Sequence, residues 1–126
     1  MSNDHKFFRC AKCGKIIEII EGTKPPTICC GEAMSELIPN STDAAQEKHV
    51  PVGVRDGHKL RVTVGSVAHP MTEEHLITWI AMVQKNKMTH VDLKAGDAPE
   101  AVFCVEDGPA TVYAYCNVHG LWSAEL

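Results

Sequence analysis

Lys59-Leu-Arg-Val-Thr-Val64 alternates polar and apolar side chains at period two, the pattern of a strand with one face buried and the other in water. Asp56-Gly57 lies just before it, and glycine accepts positive φ without steric cost, so Val50 to Arg55 and His58 to Val64 are predicted to pair as a tight hairpin. Further strands are expected over His90 to Leu93, Ala101 to Glu106 and Thr111 to Cys116, with residues 94–99 as a connecting loop. Leu76 to Val83 is ambiguous. Leu76, Ile80 and Val83 fit helical spacing, but the residues between them are apolar too, and the segment is read as a strand. Short strands separated by turns make an all-β chain whose larger part is a β-sandwich.

The chain has 126 residues, room for one ordinary domain or two small ones. Its 44% hydrophobic and 22% charged residues are globular values that favour a packed core. Glu18 splits Ile16-Ile17 from Ile19-Ile20, and no apolar run approaches the roughly 20 residues of a membrane span. The first residues lack the apolar region of a secretory signal, so a cytoplasmic protein is expected. Sixteen acidic and twelve basic residues give a net charge of -4, with the basic ones scattered, which argues against nucleic acid as a partner.

Four of the six cysteines precede residue 31, and Pro, Asn, Ser and Thr then punctuate the chain before a new apolar pattern begins. A boundary is placed near Leu37 to Asn40, giving units 1–37 and 38–126. The first unit has short strands expected at Lys6 to Arg9 and Ile16 to Glu21, with turns at Gly14, Gly22 and Pro25-Pro26. Below about 40 residues a chain buries too little surface to fold without a staple. In a chain with no export signal, cysteines are metal ligands or redox groups more readily than disulfides.

Cys10-Ala-Lys-Cys13 aims two thiolates at one point, and Cys29-Cys30 can complete a four-sulfur site. Four thiolates suit zinc or a single iron equally well. Adjacent side chains on an extended backbone diverge, so ligation by both Cys29 and Cys30 is expected to distort the local backbone. The later half offers His49, His69, His75, Cys116 and His119, with Glu47-Lys48 beside the first of these. Histidine is the commonest transition-metal ligand, but these residues are dispersed, and nothing in their periodicity makes them converge.

Taken together, Cys10-x-x-Cys13 with Cys29-Cys30, Glu47-Lys-His-Val-Pro51, Gly65-Ser-Val-Ala-His-Pro-Met71, Gly96-Asp-Ala-Pro-Glu-Ala101 and Cys116-Asn-Val-His-Gly120 resemble desulfoferrodoxin, the two-iron superoxide reductase family. The resemblance covers nearly the whole chain, with the motifs in the family's order. It implies a desulforedoxin-like module with iron on Cys10, Cys13, Cys29 and Cys30, an immunoglobulin-like sandwich with a second iron on His49, His69, His75, His119 and Cys116, and a homodimer. The implied reaction is one-electron reduction of superoxide to hydrogen peroxide, with electrons from a rubredoxin-type donor. Lys48 would stabilise the incoming anion and help supply a proton. Glu47 would occupy the open position of the oxidised iron.

Two other readings differ in class. One is a non-catalytic iron electron-transfer or metal-binding protein, since a four-sulfur site transfers electrons without any substrate position. The other is a zinc-stapled structural protein, which would be colourless. Cys104, in an apolar strand, is expected in the core. His5, His58 and His90 match no ligand position in the resemblance and are expected at the surface or in local hydrogen bonds. Trp79, Trp122, Tyr113 and Tyr115 are expected to pack the core or shield a site.

Overall fold

The computed structural model describes residues 5–22 and 26–126, so the turn expected at Pro25-Pro26 lies partly outside them. The described residues form two compact units that meet in sequence between Ile38 and Pro39.

The first unit holds β1 (Phe7–Arg9), β2 (Ile16–Glu18), β3 (Ile28–Cys29), β4 (Glu32–Ala33) and β5 (Ser35–Leu37). β1 lies between β2 and β5 in an antiparallel sheet, and β3 pairs with β4 as a separate hairpin. The strand expected over Ile16 to Glu21 ends early. Phe7 at the start of β1 pairs with Glu18, which leaves Ile20 beyond the ladder and almost fully exposed. Apolar burial in this unit is confined to Phe7, Cys10 and Met34 among the described residues, a core too small to offset the chain entropy lost on folding.

The second unit begins with a single helical turn, α1 (Gln46–His49), and continues through β6 (Pro51–Asp56), β7 (Lys59–Val64), β8 (Ile77–Gln84), β9 (Lys87–Asp92), β10 (Glu100–Cys104), β11 (Thr111–Cys116) and β12 (Gly120–Glu125). One sheet has the order β10-β7-β6 and the other β12-β11-β8-β9, the three-plus-four layout of an immunoglobulin-like sandwich. In β7 the alternation holds along the whole strand. Leu60, Val62 and Val64 point inward against Phe103, Ile80, Met82, Val112 and Ala114, and Lys59 and Arg61 face water. Each such aliphatic side chain contributes about 1.5–3 kcal/mol through the water it leaves.

Asp56 pairs with Lys59, so the hairpin turn is Gly57-His58, one residue later than the expected Asp56-Gly57. Gly57 has a φ of 62°, which suits the first position of a type II′ turn. The ambiguous segment is a strand, β8, joined to β9 through Lys85-Asn86, both at positive φ as a type I′ turn requires. With no glycine in that turn, the first half of β9 carries no hairpin signal. Cys104 is a correction. β10 buries Ala101 and Phe103, and the alternation sends Cys104 to the exposed face, where its cross-strand partner is Lys59.

Antiparallel pairing decides where the chain's chemistry gathers. The start of β6 lies beside the end of β7. The end of β11 lies beside the starts of β8 and β12. The segments holding His49, His69, His75, Cys116 and His119 all leave or enter strands at these points. No helix among the described residues is long and apolar enough to cross a membrane.

Candidate metal centres

The sulfurs of Cys10, Cys13, Cys29 and Cys30 all lie within 4.8 Å of one another. Cys10 and Cys13 flank a turn closed by the N–H of Gly14 donating to the Cys10 carbonyl at 2.9 Å. Cys29 ends β3, and Cys30 opens the β3–β4 turn at a φ of 53°, followed by Gly31 at 79°. The backbone thus leaves the extended region at Cys30, as ligation by neighbouring cysteines requires, and left-handed backbone is uncommon for a residue with a side chain. The Cys13–Cys29 sulfurs are 3.7 Å apart and the Cys29–Cys30 sulfurs 3.9 Å. A tetrahedron with metal–sulfur bonds near 2.3 Å has edges of roughly 3.8 Å.

The thiols resist losing their protons together. The backbone N–H of Cys13 lowers Cys10 to about 6, while hydrogen bonding to Cys10 pushes Cys29 up to about 12 and hydrogen bonding to Cys13 raises Cys30. A bound cation would override these differences, because it deprotonates coordinating thiols outright.

In the second unit, the rings of His49, His69, His75 and His119 follow one another in a cycle. Adjacent centroids are 4.6, 4.7, 5.0 and 4.9 Å apart, with planes 76°, 82°, 74° and 88° from parallel. The diagonal from His49 to His75 is 6.4 Å. That is close to a square of rings set edge to face. Cys116, fully buried, joins His49, His75 and His119 in a set of donor atoms mutually within 4.8 Å. His69 falls outside that set, but its Nε2 lies 3.1 Å from the Nε2 of His49.

The ring nitrogens show what the cluster lacks. His49 donates its Nδ1–H to the carbonyl of Ala45 at 2.7 Å, and His69 donates its own to the carbonyl of Pro70 at 2.6 Å. Both rings therefore turn bare Nε2 lone pairs inward, where they face each other, and the His49 Nε2 also faces the Nδ1 of His119 at 3.1 Å. Burial disfavours the charged ring, lowering His69 to about 4 and also lowering His49 and His75. The Nε2 of His75 is buried without a hydrogen-bond partner. Converging lone pairs repel unless a cation lies among them. Two nitrogens bound at right angles at about 2.1 Å would stand roughly 3.0 Å apart. The donor set fits a metal ion.

Burial raises the thiol of Cys116, and the backbone N–H groups of His119 and Val118 partly offset this. Glu47 and Lys48 are exposed on α1, immediately before buried His49. The Lys48 ammonium adds to the forces that keep His49 and His75 neutral, so its charge reaches the cluster. The Glu47 carboxylate belongs to neither donor set. Its carbonyl accepts the N–H of Val67 at 2.9 Å and the hydroxyl of Ser66 at 3.3 Å. A Cβ on Gly65 would fall 2.6 Å from that carbonyl oxygen and 3.0 Å from the Val50 carbonyl, so only glycine lets this loop close on α1.

A family model of desulfoferrodoxin matches residues 41–125, and a model of the desulfoferrodoxin N-terminal domain matches residues 2–37. The chain belongs to the desulfoferrodoxin family. A desulfoferrodoxin from Syntrophotalea carbinolica is 45% identical over 125 residues, covering 99% of each chain, and one from Nitratidesulfovibrio vulgaris is 43% identical with the same coverage. Among solved structures, the superoxide reductase from Treponema pallidum superposes with a TM-score of 0.78 at 33% identity, covering 96% of this chain and 98% of that one. A superoxide reductase (1Fe-SOR) from Giardia intestinalis gives 0.56 at 30% identity, covering 64% and 97%.

Hydrogen bonds that support the cluster were not legible in the sequence. Trp122 is fully buried and donates its Nε1–H to the His119 carbonyl at 3.1 Å. Asn117 bonds to the backbone on either side of His75. The aromatic was expected only to pack or shield, and the asparagine was read only as part of a motif.

Proposed function

We propose that the protein is a superoxide reductase. The observation that carries this reading is the square of four imidazoles with buried Cys116 close to their donor atoms and exposed Lys48 one residue before His49. His49, His69, His75, His119 and Cys116 would hold one iron, and Cys10, Cys13, Cys29 and Cys30 a second. A ferrous ion held by His49, His69, His75, His119 and Cys116 would supply the single electron that superoxide takes up with two protons to become hydrogen peroxide.

The chain's own residues do the rest. These five residues would hold the ion while leaving it able to take a small anion as a further ligand. Lys48, exposed at the lip, attracts that anion, and its ammonium is a proton source there. Burial disfavours the charged form of His49, His69 and His75, so their lone pairs stay available as the solution becomes mildly acidic. Glu47, on the same turn, would offer its carboxylate to the ion in its oxidised form. A rubredoxin-type donor and a homodimer, which the resemblance implies, and a cytoplasmic location complete the reading.

The test compares the iron-loaded, reduced protein with Cys116→Ser and Cys13→Ser. The parent is expected to consume superoxide and yield peroxide without matching oxygen release. Cys116→Ser should abolish this and Cys13→Ser should retain it. Activity retained in Cys116→Ser, or oxygen released in step with peroxide, overturns the reading. Inactivity of the parent favours an electron carrier instead.

A further inference from the structure

Asn117 is exposed in the loop between β11 and β12, yet its side-chain amide is engaged at both ends. Its Oδ1 accepts the N–H of Leu76 at 3.0 Å, and its Nδ2 donates to the carbonyl of Glu74 at 3.1 Å. Its own backbone N–H donates to the carbonyl of Leu76 at 3.2 Å. Glu74 and Leu76 are the two neighbours of His75.

The β11–β8 ladder shifts register between Tyr115 and Cys116 and ends on the pair Cys116–Ile77. Beyond that point the amide of Asn117 supplies the donor and acceptor that another strand residue would have offered. The need is specific to His75. Carbonyls orient the rings of His49 and His69 through Nδ1–H, and among the described residues no such bond holds the ring of His75. Its direction must come from its backbone. Thr72 closes a turn on the N–H and carbonyl of His75 at 3.2 and 3.0 Å, and Asn117 fixes the residues to either side.

We propose that Asn117 is a positioning residue, whose amide ties the peptides flanking His75 to the loop carrying Cys116 and His119 and so sets the His75 imidazole within the cluster. Groups that orient a ligand typically change metal affinity by 10- to 100-fold when removed. The inference rests on the metal-binding reading above.

The test uses the full chain loaded with iron. The reduced protein is exposed to a ferrous chelator at fixed concentration, and the iron left in each cluster is read from that cluster's own absorption after reoxidation. Asn117→Ala is expected to speed loss from the histidine–cysteine cluster by roughly tenfold and to leave the four-sulfur cluster unchanged. Asn117→Asp keeps the size and the acceptor but loses the donor, and should fall between parent and alanine variant. In a His75→Ala background the Asn117 substitution should add nothing, because the ring it positions is gone. Unchanged release in both Asn117 variants, or an undiminished effect in the His75→Ala background, overturns the proposal. Should Asn117→Ala fold poorly by circular dichroism, the same cycle run with Asn117→Asp decides. A parent protein that holds no iron at this cluster defeats the metal-binding reading itself, and shows it before any variant is compared.

Discussion

The indole of Trp122 stacks on the imidazole of His49, with ring centroids 4.9 Å apart and planes 25° from parallel. The same side chain holds the His119 carbonyl, so one buried residue fixes two neighbouring corners of the square. Trp122→Ala should cost about 3–5 kcal/mol of folding stability, as large aromatic truncations in a core do. Trp122→Phe keeps the stack, loses one hydrogen bond and should cost about 1 kcal/mol. Denaturant unfolding of both variants, with the His49 ring followed by NMR, checks the order.

Lys48 stands exposed beside a cluster whose neutral rings it helps to keep unprotonated. If it draws an anion in, Lys48→Ala should lower the second-order rate constant for superoxide about tenfold, and Lys48→Arg should restore most of it. Added salt should slow the parent more than the alanine variant, because only the parent has that attraction to screen. Rate measurements across ionic strength separate this from a loss of iron, which would be independent of salt.

Burial holds the folded-state pKa of His69 at about 4 and lowers His49 and His75 from their usual 6.5. As pH falls through 6.5 the unfolded chain takes up protons that the folded one refuses. The contribution of these rings to stability is therefore present above pH 6.5 and is lost progressively toward about pH 4. For the metal-free protein, the denaturant midpoint should fall between pH 7 and pH 5, before most carboxylates titrate. A midpoint constant over that interval would show the rings already charged or exposed.

The first unit buries only Phe7, Cys10 and Met34 among its described apolar residues. Removing the ion from its four sulfurs, or making Cys13→Ser, should release the backbone of residues 5–38 to rapid hydrogen exchange. Amides of β7, β8 and β11 should stay protected, because their core is made without those sulfurs. Equal loss of protection in both units would mean that the four cysteines also support the sandwich.

Alternation made Lys59–Val64 and its hairpin legible, because period two and a glycine turn are properties of the strand itself. The one-residue offset of the turn came from pairing, with Asp56 drawn into the ladder opposite Lys59. The β8–β9 turn escaped because Lys85 and Asn86 take left-handed backbone without glycine. Cys104 was misplaced because an apolar run does not say which face each residue takes, and only the register with β7 decides that. The adjacent cysteines did announce a backbone distortion, and it falls on Cys30. The histidine–cysteine cluster was different. His49 and His119 are separated by 70 positions, and only the crossing of strand ends brings them to 3.1 Å, so the resemblance to a family reached them where spacing could not.

Every sulfur of the first cluster precedes Pro39 and every donor of the second follows it. Among the described residues, neither donor set draws a member from across that border. A lineage could discard the leading stretch, or acquire it, in one genetic event, losing or gaining one whole donor set without removing a residue of the other.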